Sequence, residues 1–230
     1  MNELSIATVN FNTPLYISVL IKSIQKNNSW YTGKLHVYDN GYPHTVLDGE
    51  QQLYIGHYIN NDFYAEFSKY EEPSDPGCRH FCSAKHCKLL DKIIYDCQTK
   101  YLLILDSDVI LTKNFKNLYQ FVKDDDAIAC GYIKRPDGYA PRLAPWFSII
   151  DVEKVKALGI RYYDPKRIIF IDGNTYHDTG ASFLDDCKKT AYEVLELPKD
   201  NLVYLHYKGG SYSNPDKVLM WLHTHEGYWR

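Results

Sequence analysis

Short apolar runs alternate along the chain with stretches whose apolar groups recur at helical spacing. Residues 4–11 (Leu-Ser-Ile-Ala-Thr-Val-Asn-Phe) read as a buried strand. Asn12-Thr13-Pro14 follows, with Thr13 or Asn12 as helix cap and Pro14 at the first helical position. Leu15, Val19, Leu20 and Ile24 then share one face of a helix over 15–27. Residues 34–39 predict a second strand, closed by Asn40-Gly41, and residues 52–59 a third. Residues 60–80, with Pro73, Pro76 and Gly77, predict a long loop. Cys82, His86, Leu89, Leu90, Ile93, Ile94 and Cys97 form the apolar stripe of a second helix. Tyr101-Leu-Leu-Ile-Leu105 is wholly apolar, as a central parallel strand requires. Beyond it the pattern predicts an extended piece at 109–112, a helix at 115–123, a strand at 127–133 and a Pro/Gly-rich loop at 134–145. Helices at 151–158 and about 179–196, a strand at 202–208 and a closing helix at 215–223 complete the prediction. Strand, helix and strand in succession imply right-handed crossovers and a mostly parallel α/β sheet flanked by helices.

Composition narrows this picture. A chain of 230 residues with 45% apolar and 24% charged residues fits one globular domain and excludes disorder and a disulfide miniprotein. A net charge of -3 with no basic block makes a dedicated nucleic-acid binder a poor fit. No run approaches the roughly 18 apolar residues of a membrane helix. The N-terminal segment has no charged-then-apolar leader, so the expected location is cytoplasmic. Reduced thiols are then the default for the six cysteines. Cys78, His80, Cys82, His86 and Cys87 lie close enough together for zinc, yet they contain no CxxC pair, and the apolar helix stripe is the favoured reading.

Ligands of open parallel sheets bind at the carboxyl ends of the strands. Three such ends are polar here: Asn10–Thr13, Asp39-Asn40 and Asp106-Ser107-Asp108. Two carboxylates two residues apart at the tip of a buried strand repel each other, and a hard divalent cation is the usual remedy. Asp106 and Asp108 are therefore candidate ligands for Mg2+ or Mn2+, which leave positions open for phosphate.

Val9-Asn-Phe-Asn-Thr13, Asp39-Asn-Gly41 and Leu103-Ile-Leu-Asp106-Ser-Asp108, in that order, resemble the nucleotide-sugar half of glycosyltransferases with the A-type, Rossmann-like fold, in particular family-2-like enzymes. The resemblance covers roughly residues 4–112. It implies one domain over 1–230, with a nucleotide-sugar-binding half at about 1–112 and an acceptor-side half at about 113–230. It further implies that Asn10, Asn12, Thr13 and Asp39 hold the nucleoside, and that the metal on Asp106 and Asp108, with Ser107 between them, meets the diphosphate. Ser83-Ala-Lys-His86-Cys87 resembles the family's Ser-x-x-His-Gly helix start, which assigns His86 to the donor side and places Cys87 where the family has glycine. His206-Tyr-Lys208-Gly-Gly210 resembles a late His-x-x-Gly segment whose histidine completes the metal shell, with Lys208 beside the diphosphate. An imidazole ligand suits Mn2+ better than Mg2+.

Tyr176-His-Asp178-Thr-Gly180 resembles an acceptor-side Asp-Thr-Gly of some relatives. Asp178 is then a general base or acceptor ligand, or a plain helix cap, and Asp172 is the competing carboxylate. Arg135, Tyr139, Arg142 and Trp146 border the acceptor in the same resemblance, with the aromatics as sugar platforms and the arginines as partners of a phosphate or acidic sugar. The implied activity is transfer of a sugar from a nucleoside-diphosphate donor, with UDP favoured, to a hydroxyl of a glycan or glycolipid acceptor in surface polysaccharide or glycan synthesis. Peripheral membrane contact goes with a lipid-linked acceptor. A nucleotidyltransferase is the first rival, but Asn-Phe-Asn-Thr-Pro after the first strand lacks the glycine-rich phosphate loop. A degenerate sugar-binding module on the same fold is the second.

Overall fold

The computed structural model describes residues 3–10, 14–39, 65–69, 81–136, 138–167, 177–197 and 203–206. β1 (Leu4–Asn10), α1 (Pro14–Asn27) and β2 (Leu35–Asp39) open the chain as the pattern predicts. The expected strand at 52–59 and helix at 215–223 lie outside the described residues. So do the expected ends of the last strand. β3 (Ala65–Lys69) is a strand where the sequence predicts loop. It lies at the edge of the sheet, where the polar composition of Ala-Glu-Phe-Ser-Lys gives little apolar signal. α2 (Phe81–Asp96), β4 (Tyr101–Asp106), β5 (Val109–Leu111), α3 (Lys116–Asp124) and β6 (Ala129–Lys134) follow close to their expected bounds.

Among the described residues, seven strands form one sheet in the order β3-β2-β1-β4-β7-β6-β8, where β7 is Arg142–Asp151 and β8 is Val194–Glu196. β7 runs against both β4 and β6, so the other six strands share one direction. This is the mostly parallel sheet expected from the sequence, with one antiparallel strand set into its middle. β7 corrects the expected loop, whose prolines hid its first residues. Pro145 is tolerated because it falls where the ladder breaks: Gly131 faces Ser148 and Ile133 faces Leu143, with a register shift between them. The strands come close at this irregularity, and a Cβ on Gly131 would lie 2.8 Å from the Phe147 carbonyl oxygen.

Apolar side chains cover both faces. On one, Ile17, Leu20, Ile21 and Ile24 of α1 and Phe115, Tyr119 and Val122 around α3 pack on Leu4, Ile6, Leu103, Leu105, Phe147 and Ile149. On the other, α2 residues Leu89, Leu90, Ile93 and Ile94 pack with α4 (Val152–Ala157) and α5 (Ala181–Cys187) on Ala7, Val9, Leu102, Ile104 and Ile150. Each fully buried Ile or Leu contributes about 1.5–3 kcal/mol. Asp151 caps α4 by accepting from the Lys154 amide at 3.0 Å. α5 is shorter than the helix predicted over 179–196. The Thr190 hydroxyl donates to the Cys187 carbonyl at 2.7 Å and accepts from the Tyr192 amide at 3.2 Å, which turns the chain toward β8.

β5 pairs antiparallel with β9 (Tyr204–His206) in a separate two-stranded sheet. Polar residues of and just after α1 hold the far edge of β5. Ser23 accepts from the Leu111 amide at 3.1 Å, and Asn27 donates to the Leu111 carbonyl at 2.7 Å. Asn28 accepts from the Phe115 amide at 2.9 Å. The segment that leaves the Asp106–Asp108 turn is thereby tied to the sheet's helical layer.

Candidate active site at the carboxyl edge of the sheet

Strand register assembles the site. β1 and β2 pair Asn10 with Asp39, and β1 and β4 pair Val9 with Asp106. The three polar strand ends therefore stand side by side at one edge. β5 begins directly after Asp108, and its first residue, Val109, pairs with His206. A single short ladder thus carries His206 to the acidic turn from nearly one hundred residues away, at a sequence distance where spacing alone has no reach.

Asp106, Asp108 and His206 offer donor atoms that all lie within 4.8 Å of one another, the one such group of three among the described residues. His206 Nε2 stands 3.3 Å from Asp108 Oδ1 and 3.9 Å from Asp106 Oδ2. Two carboxylates and an imidazole are a donor set that fits a divalent ion such as Mn2+. Burial first, and the neighbouring Asp108 carboxylate second, push Asp106 up to about 7. His206 and Arg142 act against that rise.

This sets a pH dependence. A metal needs Asp106 as carboxylate, and below about pH 7 a proton occupies it. Mn2+ affinity is expected to fall as pH drops below that value, by up to about tenfold per unit, and to level off above it. Mn2+ titrations across about pH 6 to 8 check this, and a flat profile would contradict it.

His86 reaches the same place from α2. Its Nε2 lies 3.9 Å from Asp106 Oδ1, on the opposite oxygen from His206. That nitrogen is buried and makes no hydrogen bond. Desolvation, then the Arg142 charge, lower His86 to about 4, so the imidazole is neutral at physiological pH. The next residue, Cys87, is buried, and burial pushes its thiol up to about 12. Cys87 lies buried beside Thr179 and Gly180, so it serves packing and is a poor thiolate donor for zinc. Cys78 and His80, needed for the alternative zinc cluster, lie outside the described residues.

Asp178 is not the cap of α5. The N-cap is Gly180, in the left-handed region at φ 90°, with no side-chain cap. The Asp178 carboxylate instead pairs with Arg142 through one oxygen and accepts the Thr179 amide at 2.7 Å through the other. Arg142 acts electrostatically on both Asp106 and His86, so the pair borders the metal group. Arg135 points elsewhere and forms a bidentate ion pair with Glu196 at 2.5 and 2.6 Å. Trp146 lies flat on the His206 ring, with centroids 4.6 Å apart and planes 13° apart, so one face of this expected sugar platform is already covered. Tyr139 is exposed. Asn10 is fully buried, and Ser107 sits in the turn between the two aspartates. Asp39 is placed by its backbone register opposite Asn10. Asn12, Thr13, Asp172 and Lys208 lie outside the described residues. The partnership of Arg142 with Asp178 escaped sequence reading because β7 did. The glycine of Asp-Thr-Gly was the available hint, since a tight turn against a neighbouring strand favours one.

No family model and no curated protein matches the sequence. Solved structures do match the fold. The mannosyltransferase PcManGT from Pyrobaculum calidifontis, in complex with GDP-Man and Mn2+, aligns over 86% of this chain and 55% of its own, at 13% identity and a TM-score of 0.57. TarS 1-349 from S. aureus, in complex with UDP, aligns over 88% and 60%, at 16% identity and a TM-score of 0.58. The galactosyltransferase LgtC, in complex with donor and acceptor sugar analogs, aligns over 96% and 95%, at 13% identity and a TM-score of 0.56. The chain thus spans less than two thirds of the first two. The fold is the A-type glycosyltransferase fold.

Proposed function

We propose that this protein is a metal-dependent glycosyltransferase that moves a sugar from a nucleoside-diphosphate donor to a hydroxyl acceptor. One observation carries the reading: Asp106, Asp108 and His206, from two distant segments, meet within 4.8 Å at the carboxyl edge of an A-type glycosyltransferase sheet. These three residues would hold the metal. When bound, a divalent ion there would neutralise charge on the departing nucleoside diphosphate.

The chain's own residues supply the rest of the reading. Asn10, at the end of β1, and Asp39, opposite it on β2, border the nucleoside, with Asn12 and Thr13 assigned to the same role. A uridine base fits Asp39 as acceptor of the imide proton, and the UDP complex of TarS lends this choice support. Ser107 lies between the two metal carboxylates, and Lys208 is assigned to the diphosphate. His86 presents a buried neutral nitrogen toward Asp106, suited to a hydrogen bond with the donor. Arg142 adds positive charge beside this group. Asp178 is the acceptor-side carboxylate. In the structure that carboxylate is paired with Arg142, so an attacking hydroxyl would meet a carboxylate already held in place by the arginine. Asp172 is the second candidate for that proton. A surface glycan or glycolipid acceptor, and peripheral membrane contact, belong to the same reading. Among the described residues no helix is long and apolar enough to cross a membrane.

The test is turnover. Incubation with Mn2+ and a panel of UDP- and GDP-sugars is expected to release nucleoside diphosphate from one donor, and chelation is expected to stop it. Donor binding without release or transfer to any tested acceptor favours the degenerate module. Release of pyrophosphate from a nucleoside triphosphate and a sugar phosphate favours the nucleotidyltransferase.

A further inference from the structure

We propose that Trp146 is a positioning residue that presets the His206 imidazole for the metal, an inference that rests on the metal-site reading above. β9 is only three residues long, and its middle residue, Leu205, is 40% exposed. Three ladder pairs hold its backbone to β5, but they do not choose a rotamer for His206. An imidazole free to rotate would lose side-chain entropy when it binds a metal.

The choice is made from β7. Trp146 lies flat on His206, with centroids 4.6 Å apart. The Trp146 ring is itself fixed, because its Nε1 donates to the Tyr204 hydroxyl at 3.1 Å. Tyr204 in turn lies flat on Phe147 at 4.9 Å, with planes 9° apart. Two consecutive residues of β7 therefore grip the two residues of β9 that flank Leu205. Lys134 Nζ lies 5.7 Å from the Trp146 ring centroid, and Tyr132 is tilted against it at 6.0 Å. The stacked contact leaves His206 Nε2 directed at Asp108 and Asp106. The indole is thus part of the outer support of a metal ligand; losing a hydrogen-bonded support costs about 10–100-fold in affinity, and the loss of this stack is set at the lower end of that range.

The geometry also makes Trp146 a reporter. Its ring stacks on a ligand imidazole, so paramagnetic Mn2+ should quench its emission, whereas diamagnetic Mg2+ should not.

The test measures Mn2+ affinity from the free-ion paramagnetic resonance signal, with circular dichroism to confirm folding. Trp146→Leu, which removes the aromatic face, should bind Mn2+ about tenfold or more weakly. Trp146→Phe keeps a stacking ring and should stay within about threefold of the parent. Mn2+ should quench fluorescence in the parent and much less in Trp146→Phe. Tyr204→Phe, which removes the hydroxyl acceptor of Trp146 and keeps the ring, should give a smaller loss than Trp146→Leu. Asp108→Asn separates loss of the metal site from loss of its outer support. If it abolishes Mn2+ binding while Trp146→Leu binds like the parent, the positioning role is wrong and the metal site stands. If Trp146→Phe loses as much affinity as Trp146→Leu, stacking is not the cause and the inference also fails. If Asp108→Asn binds Mn2+ like the parent, the metal site itself is wrong and the inference falls with it.

Discussion

Asp108→Asn is expected to weaken Mn2+-dependent nucleotide binding by more than about 100-fold, beyond the loss typical of an outer support residue, while the protein stays folded. Its melting temperature should be unchanged or higher. Both halves follow from the same geometry. Asp108 Oδ1 lies 3.3 Å from His206 Nε2, inside the group whose donor atoms meet within 4.8 Å, so the substitution removes one of the two charged donors proposed to hold the metal. The Asp108 charge also helps raise Asp106 to about 7, after burial. Removing it relieves a like-charge repulsion that the metal-free fold must bear. Asp106 should then ionise more easily, and any residual Mn2+ binding should extend to lower pH than in the parent. Asp108→Ala, which leaves no oxygen to ligate, should remove that residue of binding as well. Calorimetry with nucleotide and Mn2+, together with thermal melts, checks the pair. A variant that binds as the parent does, or that unfolds, would contradict the assignment.

Gly180→Ala should be among the most damaging single-methyl changes in the described part of the chain. Gly180 has φ 90°, a region costing a side-chain-bearing residue about 1–2 kcal/mol. A Cβ there would also collide with the Leu143 carbonyl oxygen, which is backbone and has no rotamer to yield. Forced displacement of packed elements adds about 1–3 kcal/mol, for a total of about 2–5 kcal/mol. For a chain of this size the melting temperature should fall by roughly 4–20 °C. The damage should reach the site, because Leu143 follows Arg142, and Asp178 lies two residues before Gly180. The Leu143 amide donates to the Gly180 carbonyl at 3.3 Å, and the shift needed to admit a methyl pulls on the Arg142–Asp178 pair. Gly159→Ala is the control. Gly159 has φ 66° but open space around its missing Cβ, so it should cost only the conformational part, about 1–2 kcal/mol. Equal melting temperatures for the two variants would contradict the close approach at Gly180.

The parts of this site readable in the sequence are those where apolar pattern and polar punctuation coincide. Tyr101-Leu-Leu-Ile-Leu105 followed by Asp106-Ser-Asp108 marks both a buried strand and its chemistry, and β1 and β2 carry the same contrast at Asn10 and Asp39. His206 is legible only through a motif resemblance, and the β5–β9 ladder supplies the physical cause of its arrival. What stayed hidden depends on long-range packing. Pro136, Pro141 and Pro145 gave the segment before Trp146 the look of a loop, yet Arg142–Asp151 is an inner strand whose register shift accommodates Pro145. Missing β7 meant missing its consequences: Arg142 as partner of Asp178, and Trp146 stacked on His206. The helical periodicity over 179–196 ran past its true end because Thr190 turns the chain through two hydrogen bonds that carry no hydrophobic signal.

A calorimetric titration of the purified protein with UDP and with GDP, each with and without Mn2+, tests whether Asp106, Asp108 and His206 hold a metal for a nucleotide donor. One nucleotide, with UDP the expected one, should bind saturably only when Mn2+ is present, and chelation should abolish the binding. Equal binding with and without Mn2+, or no binding of either nucleotide at any Mn2+ concentration, would contradict that role.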